Sequence, residues 1–177
     1  MKTRSRISLL VALALSLAWA GSAQVKVTPV ISPDGRVLAS FSAPAAFSAD
    51  AAQLMRTGVL LTFTFTVELR RPAPLWFDRT LAQTIVGSSV KYDRLTGAYQ
   101  VSKHQDGRVL ASERKSGDTD VLAWMTTFNQ VPLVSPEPLE RNAEYYVSVR
   151  LHTSPRPWFS LWGRDDGSGR GAFTFIR

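Results

Sequence analysis

Val59-Leu60-Leu61-Thr62-Phe63-Thr64-Phe65-Thr66-Val67-Glu68-Leu69-Arg70-Arg71 decides the fold. Val59, Leu61, Phe63, Phe65, Val67 and Leu69 share one parity, and Thr62, Thr64, Thr66, Glu68 and Arg70 share the other. That is the two-residue period of a half-buried β-strand. Thr, Val and Phe also suit a pleated surface. Each buried apolar side chain supplies about 1.5–3 kcal/mol, while ordering the backbone costs about 1–2 kcal/mol per residue. The strand therefore needs neighbours that bury the same face.

Working outward, Ala143 to His152 repeats the pattern: Tyr145, Val147, Val149 and Leu151 against Glu144, Tyr146, Ser148 and Arg150. Val25 to Ile31 and Val37 to Ala43 read as an antiparallel pair around the turn Pro33-Asp34-Gly35. Leu81 to Tyr92, Tyr99 to His104 and Arg108 to Glu113 read as strands joined through Asp93 to Gly97 and through Asp106-Gly107. Ala172 to Ile176 closes the series. Two segments change period. Ser48 to Thr57 reads as a short helix with Ser48 as N-cap and Gly58 as C-cap. Ser116 to Asn129 places Val121, Leu122, Met125 and Phe128 at helical spacing, and Val131 to Pro138 follows as a Pro-punctuated link. The expectation is an all-β fold, an antiparallel β-sandwich of eight or nine strands with two short helices.

Lys2, Arg4 and Arg6 precede an apolar run from Ile7 to Trp19, with Ala18-Trp19-Ala20 or Gly21-Ser22-Ala23 at the cleavage point. Residues 1–23 thus read as a signal peptide, and 24–177 as one domain. The run is shorter than a bilayer span. Once the leader is removed, the protein is expected to be periplasmic or secreted and not integral to a membrane. Losing those three basic residues lowers the formal charge from +7 to +4. The remaining cations are scattered, so nucleic acid is not an expected partner. With no cysteine in the chain, stability is expected to come from the core alone.

Gly58-Val59-Leu60-Leu61, Arg70-Arg71-Pro72 with Leu75-Trp76-Phe77-Asp78, and Tyr92 through Val101 occur in an order that resembles the exported bacterial domain-of-unknown-function family 4390. The resemblance implies export and carries over no catalytic residue.

Groups for catalysis are sparse. His104 and His152 lie on the polar parities of their strands, and a two-His metal site requires those strands to be neighbours. Gly87-Ser88-Ser89 lies in a strand pattern and not at a nucleophile elbow, so it reads as a bulged or closely packed segment. Glu68 and Asp78 flank the Pro72-Ala73-Pro74 break, with Glu68 read as a solvated ion pair with Arg70. Asp165 to Gly171 has oxygen ligands but not the EF-hand spacing, and reads as a flexible loop. No catalytic residue, cofactor or metal is assigned.

The aromatic residues offer a candidate binding surface: Trp76 and Phe77 in one Pro-flanked segment, Trp158, Phe159 and Trp162 in another. If both meet at one end, they form an apolar platform rimmed by Arg71, Arg79, Arg156 and Arg164. Trp and Arg are typical anchors for a partner; the alternative is that the rings plug the end of the sandwich. The sequence thus suggests a non-catalytic protein-binding or assembly module whose partner is an envelope protein, held at this end or at an exposed sheet edge. Glycan or small-ligand binding at the same aromatic end, with or without an enzymatic step, is the alternative.

Overall fold

The structure is a computed structural model and describes residues 23–47, 49–75, 77–135, 137–154 and 166–176. The fold is mostly β. Among the described residues the strands are β1 (Ala23–Gln24), β2 (Lys26–Ile31), β3 (Val37–Ser42), β4 (Leu61–Arg71), β5 (Arg79–Asp93), β6 (Ala98–Gln105), β7 (Arg108–Lys115), β8 (Thr127–Leu133), β9 (Ala143–Ser154) and β10 (Gly167–Phe175). The α-helices are α1 (Ala49–Arg56) and α2 (Asp118–Thr126). A seven-stranded sheet runs β1-β10-β9-β4-β5-β6-β7, and a three-stranded sheet runs β2-β3-β8.

β4 lies at the centre of the larger sheet, between β9 and β5. Leu61, Phe63, Phe65, Val67 and Leu69 are all buried, whereas Val59 and Leu60 precede the strand and are exposed. The two sheets meet at a triad of rings: Phe65 of β4 lies 5.1 Å from Phe41 of β3 and 5.2 Å from Phe128 of β8, with Phe41 and Phe128 stacked at 5.1 Å. Such offset and edge contacts add to the burial of the rings themselves. α2 covers the part of the large sheet that the small sheet leaves, and Ser88 of β5, fully buried, donates to the Met125 carbonyl at 2.7 Å. The segment around Gly87 is closely packed, not bulged: its register with β4 runs unbroken, and a Cβ on Gly87 would lie 2.2 Å from His104 Nε2.

The antiparallel sandwich holds only in part. Among the described residues there are ten strands, the layers are unequal, and β1 pairs with β10 in parallel, which makes the large sheet mixed. Two further expectations need correction. The helix stops at Thr126, and Thr127–Leu133 is the third strand of the small sheet instead of a link. Asn129 and Gln130 both oppose Ser40, with Gln130 at φ 52° and its N–H donated to Ser40 Oγ. This bulge puts Phe128 and Val131 on one face, three residues apart, so the strand imitates a helical period. The stretch read as a loop before Gly171 is already strand from Gly167. Glycine is a poor strand former, but here it admits another backbone. A Cβ on Gly169 would lie 1.9 Å from the Val25 carbonyl oxygen, and one on Gly171 would lie 2.7 Å from that of Val27.

The turn expectations agree with the backbone: Gly35, Gly58, Gly97 and Gly107 all have positive φ. Ser48, placed as an N-cap, lies outside the described residues.

Candidate functional site

The end of β4 carries Arg70 and Arg71, the start of β5 with Arg79 lies on one side of it, and the start of β9 lies on the other, with Arg70 opposite Tyr146. Proline at 72 and 74 ends β4 because it cannot donate to the ladder. The turn that follows, described at residues 72–75, 77 and 78, is pinned at Asp78. The Tyr146 hydroxyl donates to one oxygen of the Asp78 carboxylate, the Ala73 N–H donates to the other at 3.3 Å, and Arg70 Nη2 donates to the Asp78 carbonyl at 3.1 Å. These bonds hold the Asp78 carboxyl below the usual carboxylate range, first through Tyr146 and then through Ala73, with Arg70 and Arg170 adding to the effect. Burial, and then the bond to Asp78, push the Tyr146 phenol up.

Tyr146 lies on the polar parity of β9 yet is only 4% exposed. The Arg170 guanidinium lies over its ring, 4.4 Å from the centroid. Between this pair and the 72–78 turn is a concavity of about 430 Å³, lined by Pro72, Asp78, Glu144, Arg170, Ala172 and Thr174 among others. The neighbouring arginines are committed elsewhere: Arg71 grips Glu140 and Arg79 grips Glu137, each through both carboxylate oxygens. Glu68, 8% exposed, is paired across strands with Arg150 at 2.9 Å and not with Arg70.

Of the expected platform, Phe77 is 96% exposed, with Leu75 beside it at 89%, and Arg71 is the ion-paired residue just described. Trp76, Arg156, Trp158, Phe159, Trp162 and Arg164 lie outside the described residues. The strand ends that lead into the two aromatic segments lie at opposite ends of β4: Tyr146 is opposite Arg70, whereas Ser154 is opposite Thr62. His104 and His152 share one cross-strand row, His152-Thr64-Gly87-His104, but β4 and β5 separate their strands. Among the described residues, no three His, Cys, Asp or Glu side chains gather as a metal site. The sequence reading missed Tyr146 and Arg170. The available signal was an aromatic residue at a polar position of an otherwise regular strand.

The profile of a domain of unknown function, DUF4390, matches residues 20–156. The chain belongs to the DUF4390 family. The matched stretch of this DUF4390 chain contains the 72–78 turn and Tyr146, while Arg170 lies beyond it. No curated protein and no solved structure matches the chain. Among the described residues, no helix is long and apolar enough to cross a membrane.

Proposed function

We propose that this DUF4390 protein is an exported, non-catalytic binding module of the bacterial envelope, which docks a protein partner on the 72–78 turn. One observation carries the reading: the turn is fixed at its base by Tyr146, Arg70 and Ala73, yet it presents Leu75 and Phe77 almost wholly to water. Apolar side chains on a pinned turn lose little conformational freedom when covered, which favours docking. Residues 1–23 are the cleaved signal peptide in this reading, and 24–177 are the single mature domain.

The test replaces Leu75 and Phe77 together by Ser and compares the variant with wild type in affinity capture from the cognate envelope fraction. Exposed substitutions of this kind change stability by no more than about 0.5 kcal/mol, so the melting temperature should hold while a partner retained by wild type is lost. Equal retention by both proteins overturns the reading.

The concavity beside Tyr146 and Arg170 favours a second reading, glycan or small-ligand binding. A thermal-shift screen of glycans against wild type and Tyr146→Ala, with stabilisation of wild type alone, would select it.

A further inference from the structure

We infer that the partner adds an extended segment as a new strand along β10, at Arg170, Ala172 and Thr174; this rests on the protein-docking reading above and specifies its mode. The backbone direction of β10 is fixed by its first contacts. The Ser168 carbonyl accepts from Val25 N at 3.0 Å, and the Asp166 carbonyl accepts from Ala23 N at 2.9 Å. Backbone groups alternate sides with period two. The N–H and C=O of Arg170, Ala172 and Thr174 therefore point away from β9, to the side that β1 occupies at Ser168.

Beyond Ser168, among the described residues, no strand pairs with that side of β10. β1 ends at Gln24, and the chain then slides beneath the sheet: the Val25 carbonyl lies against Gly169, and the Val27 carbonyl with the Pro29 ring lies against Gly171. The ladder that β1 begins is left for another chain to continue. Concavities flank this edge. One is the 430 Å³ hollow over Tyr146, Arg170, Ala172 and Thr174; the other, about 470 Å³, lies between Thr174, Ile176, Ile31 and Pro33. An added strand sends successive side chains to opposite faces, so one parity enters each hollow.

The hollows specify the occupant. Arg170 rests on Tyr146 and has no hydrogen bond to a carboxylate among the described residues, whereas Asp78 is satisfied by Tyr146 and Ala73. An acidic side chain beside Arg170 supplies the missing partner. Glu144, opposite Thr174, disfavours a second acid at the far end. The other parity meets Ile31 and Ile176 and should be aliphatic. The opposite edge of the sheet differs: β7 carries Arg108, Glu113, Arg114 and Lys115, the charged dressing that deters pairing.

The test follows amide hydrogen exchange in the mature protein, alone and with millimolar capped Asp-Val-Thr-Val-Thr-Val as the probe. Alone, the Ala172 and Thr174 amides should exchange far faster than those of Gly171 and Phe173; the probe should slow them at least about tenfold. Ala172→Pro removes only a donor on the open side, as proline at a sheet edge can, and should weaken probe binding at least about tenfold. Arg170→Glu should do the same for this probe and favour one with Lys in place of Asp. Should Ala172→Pro not fold, the exchange pattern and Arg170→Glu decide.

Slow Ala172 and Thr174 amides in the free protein, no slowing by the probe, or full binding by Ala172→Pro each overturn strand addition. So does protection that rises with protein concentration alone, which would place a second copy on this edge. An envelope partner lost by the Leu75/Phe77 variant but kept by Ala172→Pro leaves docking standing and removes strand addition. Probe protection with no partner captured does the reverse.

Discussion

Tyr99 and Tyr146 are each buried on a strand, and each donates its hydroxyl to an acid near the surface: Tyr99 to Asp118, Tyr146 to Asp78. Burial, then the bond to Asp118, push the Tyr99 phenol up to about 12 from an ordinary 10.0. A phenol raised in the folded state contributes stability that is complete below pH 10 and is lost as pH rises towards about 12. Ultraviolet titration should show Tyr99 ionising near pH 12, and Tyr99→Phe should delete that step. Asp78 has the opposite sign. Its carboxyl is depressed, so its contribution is present above its unfolded value of 3.8 and fades as pH falls through the lower folded value. Tyr146→Phe should therefore lower the melting temperature by a few degrees at neutral pH, raise the Asp78 carboxyl pKa read by NMR, and match wild type in strong acid. These bonds were not legible in the sequence, because partners 19 and 68 residues apart become neighbours only through sheet register.

At the scale of elements, legibility followed the regularity of each strand. β4 and β9 could be read directly because their apolar residues recur at every second position and face a core. β8 was hidden by its bulge, and β10 by glycine at alternate positions, where the missing side chain serves another backbone. The two kinds of glycine contact predict different costs. Gly87→Ala meets the tip of the His104 ring at 2.2 Å, a group that can rotate aside, and should change stability by under about 1 kcal/mol. Gly169→Ala meets the Val25 carbonyl at 1.9 Å, which moves only with the backbone that joins β1 to β2, and should cost about 2 kcal/mol or more. Urea unfolding of the pair checks the order; equal costs would mean that the backbone at Val25 does not press on β10. The candidate site was legible to the same degree. Phe77 and Arg71 were visible as strand-end residues, while the hollow lined by their neighbours Pro72 and Asp78 depends on Arg170, which sits in the strand that read as a loop.

The whole molecule completes its large sheet with its last strand, β10, held between β9 and the start of the proposed mature domain, where Gln24 lies opposite Ser168. The core row of β4 cannot be covered by local neighbours alone, since β9 comes from residues 143–154 and β3 from 37–42. Such pairings place most of the ordering cost before most of the gain, and domains of this kind refold in milliseconds to seconds. Deleting residues from 166 onward should remove the partner of β1 and leave β9 as a bare edge. We expect that truncation to lower the melting temperature by more than about 10 °C or to abolish cooperative unfolding; a melt within a few degrees of wild type would show the closure to be dispensable. Under the export proposed above, a chain threaded outward from its N-terminus could not complete this sheet until its last strand had crossed, and the same closure would then act as a timing device that keeps the polypeptide open for transport.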